Sequence, residues 1–142
     1  MEYKKVVIDG FGGDNAPVEV IKGVKKALDN ISDLAVVITG DEQKLLTLAK
    51  ENGIDLNRLI IVNAPDIISN DDVPTVAIKT KTNSSLVKAF ESLKNDASVL
   101  GMVSAGSTGA VLTGGFLKVG RIKGVSRPVL APVLPTLKGT PV

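Results

Sequence analysis

The chain has 142 residues and a formal net charge of +2, with 44% hydrophobic and 3% aromatic residues. This length and hydrophobic content predict one folded domain. The low net charge and the scarcity of aromatic rings argue against nucleic acid as a partner. The chain contains no cysteine and no histidine, which excludes disulfides, thiolate nucleophiles, histidine bases and the usual zinc sites from these residues. Because the N-terminus leads into a strand pattern without an apolar signal region, we expect a cytoplasmic protein.

The predicted elements alternate along the chain. Apolar runs predict strands at residues 5–8, 34–39, 59–62 and 99–103. Helical periodicity follows each run. The first helix begins at Pro17, the second is capped by Asp41 and ended by Gly53, a third is capped by Ser84, and a glycine-containing helix covers residues 108–119. Residues 63–74 form a turn-rich stretch.

This alternation predicts an α/β fold, with a doubly wound, mostly parallel sheet and helices on both faces. An uncharged window at residues 97–117 is long enough to cross a membrane. It is rich in Gly, Ser and Thr, so a buried strand, a turn and a helix explain it better. Residues 128–142 are proline-rich and end on an apolar residue. We therefore expect residues 1–142 to be a single α/β domain and the N-terminal portion of a longer chain.

Two glycine-rich loops follow predicted strands and so fall at the carboxyl edge of the sheet, where α/β folds bind ligands. The first runs from Gly10 to Asn15 and begins like a dinucleotide fingerprint, but Asn15 replaces its third glycine, which argues against a nicotinamide site. The alternatives are a tight turn capped by Asp14 or Asn15, or a backbone that approaches a ligand.

The second loop resembles a P-loop from Gly101 to Thr108, without the lysine that should follow Gly106. The residues predict a small anion site made of backbone N–H groups and hydroxyls, or alternatively a turn that uses small residues for packing. A third stretch, residues 79–85, places two lysines ahead of a serine-capped helix. Such lysines are either solvated or complete an anion site.

Taken in order, these stretches resemble the bacterial phosphate acyltransferase family of phospholipid synthesis (PlsX type). The matching motifs are Asp9 with "GGDNAP" at residues 12–17, the lysine and serine pattern of residues 79–85, "SAGSTGA" at residues 104–110, and Arg127-Pro128. Three positions depart from the family's usual residues: Asn63, Lys79 and Ser107.

The resemblance implies transfer of a fatty acyl group from acyl carrier protein to inorganic phosphate, without cofactor or metal. It also implies a homodimer, a fold similar to the isocitrate and isopropylmalate dehydrogenases, and peripheral membrane contact through a part outside this chain. The implied catalytic residues are Lys81, Asp14 and Asn15. The implied phosphate- and acyl-binding residues are Gly12, Gly13, Ser84, Ser85, Ser104, Gly106, Ser107, Thr108, Gly109 and Arg127. A short-chain, phosphotransacetylase-like or glycine-reductase-linked acyltransferase and a non-catalytic anion-binding domain remain as alternatives.

Overall fold

The computed structural model describes residues 3–131, 133 and 139, in which four strands alternate with five α-helices. The strands are β1 (Lys4–Asp9), β2 (Leu34–Gly40), β3 (Leu59–Asn63) and β4 (Val99–Val103). The α-helices are α1 (Val18–Asn30), α2 (Glu42–Glu51), α3 (Pro74–Thr80), α4 (Ser85–Asn95) and α5 (Thr108–Gly114). A 3-10 turn (Leu56–Arg58) precedes β3, and a π-helical turn (Gly115–Val119) continues α5.

The four strands form one parallel sheet in the order β3-β2-β1-β4. The predicted fold class, a doubly wound α/β sheet, is confirmed, while the dehydrogenase-like comparison stays a prediction. Because β1 and β4 are parallel neighbours, their carboxyl ends lie side by side at one edge of the sheet. The loops that follow these two strands are the two glycine-rich loops.

Hydrophobic side chains cover both faces of the sheet. Val36 and Ile38 of β2 pack with Ile21 of α1 and Leu45 of α2, whereas the alternating residue Val37 points to the opposite face. On that opposite face, α4 lies against β1, β2 and β4. All seven residues of β2 are buried, as expected for a central strand that is covered on both sides. The sheet therefore holds the carboxyl ends of its strands in fixed positions.

Several local predictions differ from the structure. Helix α1 begins at Val18, and Pro17 occupies the N-cap position without a side-chain cap. The expected tight turn is present, closed by the Ala16 N–H on the Gly13 carbonyl at 3.2 Å. The predicted side-chain cap by Asp14 or Asn15 is wrong, because α1 has no side-chain cap and Asn15 contributes its backbone carbonyl, which accepts the Glu19 N–H at 3.2 Å.

The predicted helix at residues 108–119 changes character after Gly114. It becomes a π-helical turn closed by the Gly120 N–H on the Gly115 carbonyl, 3.0 Å away. The change occurs at two adjacent glycines, which weaken an α-helix. Helix α3 was missed at the end of the turn-rich stretch, although Pro74 at its first position is a helix-start signal.

None of the helices in the described part of the chain is long and apolar enough to cross a membrane. The uncharged window at residues 97–117 instead contains β4, a turn and α5. Of the proline-rich tail at residues 128–142, where the sequence suggests that a further strand begins, residues 132, 134–138 and 140–142 lie outside the described residues.

Candidate active site at the carboxyl ends of β1 and β4

The two glycine-rich loops are in direct contact. A Cβ atom placed on Gly106 would lie 3.3 Å from the Gly12 Cα, and one placed on Gly12 would lie 2.9 Å from the Gly106 nitrogen. Real Cβ atoms essentially never approach another atom to within 3.0 Å, and the 2.9 Å distance at Gly12 is below this limit. Glycine at position 12 is therefore required by the approach of one backbone to the other.

A buried aspartate joins the loops. Asp9 is 2% exposed, and its Oδ2 accepts a hydrogen bond of 2.8 Å from the Ser104 hydroxyl. The Ser104 Oγ in turn accepts the Gly106 N–H at 3.1 Å, and the Phe11 N–H donates to Asp9 Oδ1 at 3.4 Å. The Ser104 hydroxyl and the Gly106 N–H, both predicted to face an anion, thus serve the contact between the loops.

Asp9 was quoted as part of a motif but was not among the predicted site residues. Its position could have identified it, because an acidic residue stands at the end of a buried strand, directly before the glycine-rich loop. Such a group needs buried hydrogen-bond partners. Its partner is 95 residues away in the sequence, which is why the spacing did not show the pair.

A cleft of about 300 Å³ opens beside the contact between the loops. Its lining residues come from the first loop, the second loop and a turn that precedes α3; they are Gly13, Asp14, Ser69, Asn70, Ala105 and Gly106. Gly13 has a φ of +107°, in the region that L side chains rarely adopt. Of the predicted catalytic residues, the structure brings Asp14 to this cleft, whereas Asn15 is exposed and outside its lining.

Lys81 lies behind the turn rather than in the cleft. Its Nζ donates to Asp72 Oδ2 at 2.6 Å and to the Ile67 carbonyl at 3.0 Å. The hydrogen bond from Lys81, together with the Ser69 N–H, lowers the pKa of Asp72 below its ordinary value. The predicted catalytic lysine is therefore engaged in an ion pair, and its direct contact with substrate stays a prediction.

Ser84 and Ser85 are in the interior. Ser84 is fully buried, and its Oγ caps α4 by accepting the Val87 N–H at 3.4 Å. Ser85 is 2% exposed, and its carbonyl accepts a 2.7 Å hydrogen bond from the Thr39 hydroxyl of β2. These contacts give both serines a role in seating α4 against the sheet, and their predicted contact with phosphate is untested.

The remaining residues of the second loop have different surroundings: one caps a helix, one permits helix packing and one is exposed. The Ser107 Oγ caps α5 by accepting the Ala110 N–H at 3.5 Å. A Cβ on Gly109 would lie 3.2 Å from Cγ of Pro74, so this glycine permits the packing of α5 against α3. Thr108 is exposed and lines a second, larger depression.

That depression is an apolar groove of about 780 Å³ between α4, α5, the π-helical turn and residues 120–130. Its polar lining residues are Ser104, Thr108, Arg121 and Arg127, and Gly106 also lines it. The apolar lining residues are Phe90, Leu93, Met102, Val111, Leu112, Phe116, Ile122, Val125, Val129 and Leu130. Gly106 lines both the groove and the 300 Å³ cleft, so the two spaces are neighbours at the second loop.

Within residues 3–131, 133 and 139, no cluster of three or more acidic side chains is arranged to hold a metal ion. The cleft contains one carboxylate, that of Asp14, together with an amide, a hydroxyl and backbone groups. Of the three positions that depart from the family's usual residues, Ser107 caps α5 as described above. The Asn63 Oδ1 accepts the Glu42 N–H at 3.3 Å, and Lys79 of α3 lines a further depression together with Arg127 and Phe116.

Comparisons with known proteins identify similar sequences over almost the whole chain. A family model described as "Fatty acid synthesis protein" matches residues 4–142. A phosphate acyltransferase of Clostridium botulinum is 45% identical over 135 residues, which are 95% of this chain and 40% of that protein. The phosphate acyltransferases of Caldanaerobacter subterraneus and Dictyoglomus thermophilum are 46% and 43% identical over 97% and 96% of this chain, again 40% of each relative. The chain thus spans about 40% of the length of these curated relatives.

Proposed function

Because the chain belongs to the family of fatty acid synthesis proteins whose curated members include phosphate acyltransferases, we propose that it is part of a phosphate acyltransferase. The proposed substrates are a fatty acyl thioester of acyl carrier protein and inorganic phosphate. The products are acyl phosphate, a precursor for phosphatidic acid synthesis, and free carrier protein. The proposal includes a cytoplasmic homodimer that contacts the membrane peripherally.

The observation that carries the proposal is that the polar cleft and the largely apolar groove lie next to each other and share Gly106 as a lining residue. A fatty acyl phosphate has a charged head and an apolar tail, and it needs two adjoining spaces of opposite character. Both volumes are within the range of about 300–1,000 Å³ that is usual for ligand pockets. A short acyl group would leave the groove unused, so the groove favours a fatty acyl donor.

The proposed reaction requires the protein mainly to position the two substrates and to stabilise the developing charge. An oxygen of hydrogen phosphate attacks the thioester carbonyl carbon, and the C–O bond forms. The C–S bond breaks, and the leaving carrier-protein thiolate takes up the proton that hydrogen phosphate loses. Phosphate supplies the nucleophile, so no thiol or imidazole of the chain is needed. The protein has to hold the anion beside the carbonyl and stabilise the oxyanion that develops there.

The test compares donors in the whole natural protein. Thiol release is measured with a palmitoyl carrier protein and with acetyl coenzyme A, each with and without phosphate. Phosphate-dependent release from the palmitoyl donor supports the proposal. Phosphate-dependent release from acetyl coenzyme A but not from the palmitoyl donor would instead support the short-chain alternative. Phosphate binding without release from either donor would support the non-catalytic alternative.

A pair of leucines tests the groove within the same assay. Leu112 lines the groove and is 38% exposed, and Leu56 is 42% exposed on the 3-10 turn, outside the groove. We expect Leu112→Gln to raise KM for the palmitoyl donor and to leave KM for phosphate unchanged, since it places a polar group against the tail. Leu56→Gln should change neither. Equal effects of the two variants would contradict acyl binding in the groove.

A further inference from the structure

The turn at residues 69–72 forms a wall of the cleft opposite the two glycine-rich loops. Ser69 and Asn70 line the cleft together with Gly13, Asp14, Ala105 and Gly106. The chain reaches this position because Asp66 pairs with Ser84 in an isolated parallel bridge ahead of the turn, and α3 begins directly after it. The cleft is thus built from three separate segments, of which this turn was not expected from the sequence.

The turn is held from behind by the ion pair of Lys81 and Asp72. Asp72 Oδ2 accepts the Lys81 ammonium at 2.6 Å, the Ser69 N–H at 2.7 Å and the Ser69 hydroxyl at 3.3 Å. Lys81 also reaches the Ile67 carbonyl at 3.0 Å. A single carboxylate oxygen therefore ties the end of α3 to the start of the turn.

The side chains in the cleft differ in what they can offer an anion. Gly13, Ala105 and Gly106 have no polar side chain, and the Asp14 carboxylate only accepts hydrogen bonds when ionised. The Ser69 hydroxyl faces Asp72. The carboxamide of Asn70 has two N–H donors, so among the lining side chains it is the one whose N–H groups can donate to an anion.

We propose that Asn70 binds the phosphate in the cleft through its carboxamide N–H groups, and that Lys81 is a positioning residue that acts through Asp72. This inference rests on the proposed function, since phosphate is the ligand that function places in the cleft. In this proposal, Lys81 holds the turn in the position where Asn70 lines the cleft with Gly13 and Gly106. Its ammonium affects phosphate binding without contacting the phosphate.

The first test measures Asn70 in the whole natural protein. Asn70→Ala removes a hydrogen bond to a charged ligand, so we expect KM for phosphate to rise about tenfold to a hundredfold. KM for the acyl donor should stay unchanged. Asn83→Ala is the matched control, because Asn83 is an exposed asparagine ahead of α4 that does not line the cleft. An unchanged phosphate KM in Asn70→Ala would overturn the proposal.

The second test separates positioning by Lys81 from direct contact. If Lys81 acts through Asp72 and Asn70, then Lys81→Met and Asp72→Asn should raise the phosphate KM alike. Lys81→Met should add little in a protein that already carries Asn70→Ala. If Lys81 touches phosphate, its loss will add in full to Asn70→Ala, and Asp72→Asn will have a small effect. That additive result would overturn the positioning role.

Direct binding keeps this inference distinct from the proposed function. Inorganic phosphate is titrated calorimetrically into the protein and the Asn70→Ala variant without acyl donor. Weaker binding to Asn70→Ala than to Asn83→Ala supports the phosphate contact, even if no thioester is cleaved and the acyltransferase proposal fails. Equal binding to all three proteins, or binding to none of them, would overturn the contact even if thioester cleavage is observed.

Discussion

Replacement of Ser104 by alanine removes the hydroxyl that joins the two glycine-rich loops. The lost bonds are the 2.8 Å donation to Asp9 and the 3.1 Å acceptance from the Gly106 N–H. Asp9 is 2% exposed, so water cannot replace the hydroxyl as its partner without opening the site. A hydrogen bond to a charged group contributes about 1.5–3 kcal/mol, and an unsatisfied buried group adds its desolvation cost. We therefore expect the free energy of unfolding to fall by about 2–3 kcal/mol.

Ser98 provides the matched control. Its hydroxyl also donates to an aspartate, Asp96 Oδ1, at 2.5 Å, but the Asp96 side chain is 44% exposed. Ser98→Ala should therefore cost less than about 1 kcal/mol, because water replaces the lost donor. Urea unfolding of the two variants and the parent protein, followed by circular dichroism, measures both effects. If Ser104→Ala costs no more than Ser98→Ala, the Asp9–Ser104 bond does not hold the loops together.

Three further predictions concern helix packing and the ion pair behind the cleft. Gly114→Ala should lower the free energy of unfolding by about 1–3 kcal/mol in urea, because its Cβ would overlap the buried ring of Phe90; an unchanged midpoint would contradict this packing. Gly23→Ala on the exposed face of α1 should raise the free energy of unfolding by about 0.5–1 kcal/mol, since its Cβ meets no atom within 4 Å. A lower free energy of unfolding in the same assay would contradict an open helical position at residue 23. Lys81 lowers the pKa of Asp72, so their contribution to stability is present above the ordinary aspartate pKa and lost as the pH falls through the lowered one. The difference in unfolding free energy between the parent and Lys81→Met should therefore shrink as the pH falls below the ordinary aspartate pKa. A difference independent of pH would exclude this linkage.

Local signals in the sequence predicted the scaffold well. The caps by Asp41 and Ser84 are formed as expected, with their side chains accepting the N–H groups of Lys44 and Val87. A cap depends on residues two or three positions apart, so the sequence contains the whole signal. The parallel sheet was likewise predictable, because few other folds can bury four continuous apolar strands that are separated by helices.

Contacts between distant segments were not predictable in the same way. The position of Lys81 ahead of a capped helix left a solvated lysine and an anion site as alternatives, and only the family resemblance implied a catalytic role. The turn before α3 instead brings Asp72 to its ammonium. Nothing in the spacing of these two residues distinguishes an ion pair from a solvated pair. The cleft was anticipated only from the two glycine-rich loops, and its third wall depends on the path of residues 66–72 across the sheet edge.

The contact between Asp9 and Ser104 has a consequence for the order of folding. The two residues are 95 positions apart, and they meet only when β4 pairs with β1. Closing so long a stretch of chain costs more entropy than forming local helices or pairing β1 with β2, whose partners are closer in the sequence. During synthesis, β1, β2 and β3 leave the ribosome well before β4. The cleft therefore cannot exist in a nascent chain that lacks β4, and it forms when β4 pairs with β1.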